Sequence, residues 1–245
     1  MCLIVFSPHG ELVARDVFDC ARTENPDGIG VMSCLGAEKF VGKRAARRAW
    51  RYITRELYGI PHAVHFRYAT HGSINRALCH PFESKSGALV MHNGVIHKTA
   101  KYATLNCSDT SLFVQWYMEH VPDPAERKEH QRFKRRLEKD LSYGNKMVIY
   151  HPFSDSWTIA NEDEGYWKEG LWYSNEYSLP RYMQSYWEYE WRGRIVSAKG
   201  YAKRYAEELR WMEEEQDIMA PPDDAPPDDA DAVRAAVRSP LAVVR

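Results

Sequence analysis

The feature that most constrains the fold is the order in which short apolar runs and helical periods follow one another. Cys2-Leu3-Ile4-Val5-Phe6 is a continuous apolar run closed by Pro8-His9-Gly10, too short for a helix and read as a buried strand. Leu12-Val17 reads as a second strand, and Gly30-Cys34 as a third after the turn signal Asn25-Pro26-Asp27-Gly28. The period then changes. From Lys43 to Leu57, Ala45, Ala46, Ala49, Trp50 and Ile53 recur at helical spacing with arginines on the other face. His62-Tyr68 and Ala88-Ile96 return to strand character. Ser108-Asp109-Thr110 precedes Leu112, Phe113, Trp116 and Met118, an N-cap followed by an amphipathic helix. A charged helix covers about 124–141, and Lys146-Tyr150, Trp157-Ala160 and Gly165-Ser174 read as closing strands. Strands with helices grouped between them predict an α+β layered domain over residues 2–200.

The rest of the chain differs in kind. Residues 201–217 have the composition of an isolated helix. Residues 218–245 contain a repeated Pro-Pro-Asp-Asp-Ala and read as an acidic, proline-rich disordered tail, because such a segment cannot bury enough apolar surface to fold. With 33 Lys+Arg against 34 Asp+Glu, the chain lacks the basic excess of a protein that works by wrapping nucleic acid, so a nucleic-acid partner is not indicated. No stretch approaches the roughly 20 apolar residues of a membrane span. The N-terminal apolar run is too short for a signal-peptide core and has no basic leader, so a cytoplasmic protein is expected. The five cysteines are scattered without a C-x-x-C pair, which points to reduced thiols rather than disulfides or structural zinc.

Four segments carry possible chemistry: Cys2, the stretch His65 to Gly72, His92-Asn93-Gly94, and Ser108-Asp109-Thr110. Each has a bland reading. Cys2 can be a small buried residue at a strand start, Arg67 an ion-pair residue, Asn93-Gly94 a hairpin turn and Asp109 a helix cap. Together they have another. Removal of Met1 would place the Cys2 thiol beside a free α-amine, which titrates near 8 and can serve as a base without a histidine. An Asn amide next to a Gly N–H supplies two donors for an oxyanion. Arg67 and Asp109 offer the opposite charges that clamp a zwitterionic amino acid, the guanidinium on its carboxylate.

In that order, Cys2, Arg67-Tyr68-Ala69-Thr70-His71-Gly72, His92-Asn93-Gly94 and Ser108-Asp109-Thr110 resemble the motifs of a class II glutamine amidotransferase domain of the N-terminal-nucleophile (Ntn) hydrolase superfamily. Asn75, His80-Pro81-Phe82, Asn25 to Gly30 and Trp172-Tyr173-Ser174-Asn175 also resemble stretches of such domains, so the likeness spans roughly residues 2–180. It implies a four-layer αββα sandwich of two antiparallel sheets. Cys2 would attack the side-chain amide of L-glutamine, forming a γ-glutamyl thioester and releasing ammonia. Asn93 and Gly94 would hold the oxyanion, Arg67 the substrate carboxylate and Asp109 its ammonium, while Thr70 and His71 line the substrate loop. No metal or organic cofactor is required.

Two departures stand out. Lys98 stands where relatives often carry Asn. No second catalytic domain follows residue 200, so the resemblance implies a separate ammonia-accepting synthase or transferase, or a free-standing glutaminase. The rival readings are an Ntn amidohydrolase acting on another amide and a non-catalytic partner-binding subunit. His9, His62, His65, His97, His120 and His130 lack metal-ligand spacing and read as surface or hydrogen-bonded residues. His71 and His92 read as loop-orienting groups. The aromatic cluster at 182–191 reads as packing or a partner surface. For the basic face Arg44, Arg47, Arg48, Arg51 and Arg55, a solvated face is the simplest reading and contact with a phosphate-bearing partner the sharper one.

Overall fold

The computed structural model describes residues 2–70 and 72–184, without the side chain of Tyr182. The expected helix at 201–217, the tail at 218–245, and most of the aromatic cluster lie outside the described residues, as does His71.

Two antiparallel sheets and several helices make an α+β fold. In the first sheet, β1 (Leu3–Ser7) pairs with β4 (His62–Phe66) on one side and β10 (Leu171–Tyr173) on the other; β2 (Ile29–Ser33), β3 (Gly36–Phe40) and β9 (Tyr166–Lys168) complete the order β3-β2-β4-β1-β10-β9. The second sheet runs β5 (Phe82–Glu83), β6 (Leu89–Asn93), β7 (Lys146–His151), β8 (Ser156–Ala160). Alternation assigns the faces, because successive side chains point to opposite sides of a strand. Leu3 and Val5 of β1 join Val64 and Phe66 of β4 under α1 (Arg15–Glu24) and α2 (Ala45–Glu56) in one apolar cluster. Ile4, Phe6, Met32 and Ala63 face the other way and meet Leu89, Met91, Val148 and Trp172 in a cluster shared by the two sheets. Val90, Met147, Ile149 and Ala160 pack against α4 (Asp109–Tyr117) and α5 (Arg127–Leu141) in a third. This arrangement is compatible with a sandwich.

Most predicted elements lie where expected, with two corrections. Leu12-Val17 is not a strand: helix α1 takes over from Arg15. Val13, Val17, Phe18 and Ala21 are buried at the spacing of one helix face rather than at period two. The strand expected over Gly165-Ser174 is divided into β9 and β10 by a turn at Glu169-Gly170, both with positive φ. Close approach between layers fixes Gly30, where a Cβ would lie 1.9 Å from the His80 carbonyl oxygen.

Candidate functional site

Cys2 stands immediately before β1. Because Leu3 pairs with Phe66, the next residue of β4's strand, Arg67, emerges beside it at the same end of the sheet. The Cys2 Sγ accepts from the Tyr68 N–H and donates to the Tyr68 carbonyl, each at 3.3 Å. Burial pushes the thiol up from its ordinary value, with the Tyr68 backbone and Arg67 pulling it down and Asp109 pushing it further up. The thiol is therefore protonated at neutral pH, and any nucleophilic role requires a base. The opposing effects of Arg67 and Asp109 also place both charges within electrostatic reach of the sulfur.

Asn93 ends β6 in the opposite sheet. Its Nδ2 donates to Ser174 Oγ at 2.8 Å, and the same hydroxyl oxygen accepts the Ile4 N–H at 2.8 Å. Asn175 Nδ2 donates to the Cys2 carbonyl at 2.6 Å. The residues after β10 thus tie the start of β1 to the end of β6. Asn93-Gly94 is no hairpin turn, for the chain continues into the short helix α3 (His97–Ala100). Gly94 has φ +134°, and a Cβ there would sit 2.3 Å from Asn145 Oδ1, so only glycine fits.

Asp109 does not cap α4. Ser108 does, in a reciprocal capping box with Ser111, while Asp109 Oδ2 turns back to accept the Ile96 N–H at 2.8 Å. Asp109 is buried and tethered to the loop that follows Gly94. His92 is a bridge: Nδ1 lies 2.9 Å from Thr110 Oγ1 and Nε2 3.0 Å from Asn145 Oδ1. That agrees with an orienting role. Arg67 is buried, and its Nη1 donates to the Ser73 carbonyl at 3.1 Å, bracing the loop that carries Thr70. Thr70 itself is exposed. Lys98 points away, to Asp140 Oδ2 at 3.1 Å and over the Tyr117 ring, so its substitution ties α3 to α5 and α4.

Sequence reasoning left several supporting residues unassigned. Asp27 Oδ2 accepts the Ala69 N–H at 2.8 Å, and its own N–H donates to the Arg67 carbonyl, so the early turn clamps the residues after β4. Ser174 and Asn175 were legible only as part of a similar stretch, not as the groups that bridge the sheets.

A histidine pair lies below the site. The His65 and His80 ring centroids lie 4.0 Å apart with the planes tilted by 33°, His65 Nε2 donates to the His92 carbonyl, and among the described residues His65 Nδ1 and both His80 nitrogens have no partner. Burial drives the His65 pKa down to about 3 and that of His80 well below its ordinary value. Both stay neutral in the folded protein, whereas in the unfolded chain they charge below about pH 6.5. The unfolded state then binds more protons, so stability is full above pH 6.5 and falls as pH drops towards 3. His65 alone should cost about 1.4 kcal/mol per pH unit across that window. A urea midpoint that stays constant from pH 7.5 to pH 4.5 would contradict this.

Among the described residues, one group could offer a metal three ligand atoms, the exposed His120, Glu126 and Glu129, whose donor atoms lie within 4.8 Å of one another. None of the site residues belongs to it. Among the described residues, no helix is long and apolar enough to cross a membrane. No model of a known protein family matches the chain, and no curated protein does.

Proposed function

We propose that the chain is a glutamine-hydrolysing amidotransferase domain built as a four-layer αββα sandwich of the Ntn-hydrolase kind. The observation that carries this reading is the Ser174 bridge, which fastens Asn93 of one sheet to the backbone two residues from the Cys2 thiol of the other. Burial of the thiol fits an N-terminal nucleophile, because a protonated sulfur needs a base at hand and the Cys2 α-amine, freed by cleavage of the Met1–Cys2 bond, is one.

The reaction follows in two steps. The amine removes the thiol proton as Sγ attacks the carboxamide carbon of L-glutamine. The Asn93 amide and the Gly94 N–H stabilise the developing oxyanion. The C–N bond then breaks, the proton leaves with ammonia, and the γ-glutamyl thioester remains until water converts it to glutamate and restores the thiol. Arg67 binds the α-carboxylate, and Asp109, with Oδ2 already held by Ile96, binds the α-ammonium through its other oxygen. Thr70 and His71 line the loop over the substrate. In this reading the protein works in the cytoplasm and delivers ammonia to an acceptor synthase or transferase on a separate chain.

The test is covalent trapping. Incubation with the glutamine-analogue electrophile diazo-oxo-norleucine should label one residue, Cys2, and intact-mass analysis should show the labelled chain lacking Met1. Labelling of chains that retain Met1, or none at Cys2, would overturn the mechanism. A non-catalytic subunit would remain unlabelled.

A further inference from the structure

Helix α2 breaks two rules of helix electrostatics at once. From its lead-in at Lys43 to Arg55 the segment carries Lys43, Arg44, Arg47, Arg48, Arg51 and Arg55, and the helix's one acidic residue is its last, Glu56. At 3.6 residues per turn the five arginines fall within an arc of about 100°, opposite the buried Ala49 and Ile53, and extend about 16 Å along the axis. All five are exposed. Among the described residues none forms an ion pair with a carboxylate; the Arg48 guanidinium donates to the Val41 carbonyl instead.

Arginines three and four positions apart repel one another, each pair opposing the helix. Arg44, Arg47 and Arg48 also place positive charge at the helix N-terminus, where the backbone dipole is already positive and no acidic residue compensates. Helix α5 shows the usual remedy: its basic residues are interleaved with Glu129, Glu138 and Asp140, and Lys134 and Lys98 reach two of these carboxylates. A charge pattern that opposes the isolated helix by like-charge repulsion and at its N-terminus, with only Arg55 in the last turn placed favourably, is expected where an outside anion completes it.

The chemistry of that anion can be narrowed. The flanking aromatics turn inward, Trp50 under Arg15 at 4.9 Å and against Phe18, and Tyr52 against Phe40. The arginine face therefore lacks the apolar anchors that form the core of a protein–protein interface. A row of guanidinium forks with no apolar centre suits a repeating phosphate, which arginine binds bidentately and without sequence preference. We infer that the α2 arginine face binds the phosphodiester backbone of a nucleic acid. The near-neutral net charge of the whole chain limits this to one local contact rather than a wrapping surface. By strand register, Phe40, which ends β3 ahead of α2, lies across from Ile29 and Phe66, so the arginine row begins at the end of the sheet where Cys2 stands.

The experiment measures fluorescence anisotropy of a labelled mixed-sequence 20-base-pair DNA duplex titrated with the full-length protein from 50 to 200 mM salt. Engagement of all five arginines gives a log–log salt slope of about −4.5, a loss of about 500-fold in affinity over that range. The triple variant Arg44→Ala/Arg47→Ala/Arg51→Ala should reduce the slope by about 1 per arginine. The triple variant Arg132→Ala/Arg135→Ala/Arg136→Ala on α5 should leave it unchanged. Thermal melts of the α2 variant should hold or rise, because like-charge repulsion is relieved. The proposal is overturned by no binding at 50 mM salt, by an unchanged slope in the α2 variant, by a fall in its melting temperature, or by preferential binding of poly-aspartate or anionic lipid vesicles over the duplex. The proposal stands independently of glutamine hydrolysis.

Discussion

Replacing Cys2 by alanine is expected to lower glutamine hydrolysis by at least about 10⁴-fold, as loss of a covalent nucleophile does elsewhere. Serine should do little better. Its hydroxyl can keep the contact with the Tyr68 N–H, but its proton is far harder to remove than that of the thiol, and the amine that must remove it is a modest base. The loss should be chemical rather than structural, for Cys2 belongs to none of the three apolar clusters and its backbone carbonyl remains available to Asn175. The melting temperature should therefore stay close to that of the parent. An alanine variant that releases ammonia from glutamine at the parent rate would end the amidotransferase reading.

Asn93→Ala should reduce kcat by about 10² to 10³ while leaving KM for glutamine within a few fold, since an oxyanion donor acts on charge that develops only in the transition state. The side-chain amide has two N–H groups. One is engaged by Ser174 Oγ, which fixes the plane of the amide and leaves the other to the substrate. Removal of the amide also leaves the buried Ser174 hydroxyl one partner short, a cost to stability of about 1–3 kcal/mol. Steady-state kinetics and a denaturation curve on the same variant separate the two effects. A rise in KM at unchanged kcat would assign Asn93 to ground-state binding and remove it from the oxyanion role.

Much of this layout was legible in the residues because periodicity reports burial. Strands β1, β2, β4, β6 and β7 are dense in apolar residues and buried along almost their whole length, and α2 and α5 carry helical stripes of buried residues. Strand β3 was not recognised, for Gly36-Ala37-Glu38-Lys39-Phe40 is a short edge strand with two adjacent half-buried charges and no apolar alternation. Strand β5, with two residues, and α3, with four, are too short to show any period. Cys2, Arg67, Asn93 and Asp109 were legible as candidates for another reason: each has a bland reading alone, but in this order they resemble one set of family motifs. Their supports were not. Ser174 acts on Ile4 and Asn93, and Asn175 on Cys2, across separations of up to 173 residues that no local pattern records. The buried pair His65 and His80 was equally hidden, because a lone histidine, in strand β4 or in the loop before β5, reads the same whether it faces solvent or another imidazole.

The order of synthesis gives the Ser174 bridge a further meaning. Cys2 is among the first residues to leave the ribosome, and Ser174 and Asn175 follow more than 170 positions later. Until the last strands arrive and close that long loop, the Ile4 amide, the Cys2 carbonyl and the Asn93 amide lack the partners that hold them in register. A nascent or truncated chain therefore carries the Cys2 thiol without the hydrogen bonds that hold its surroundings in place. Under the proposed mechanism, competence would be switched on only by completion of the domain.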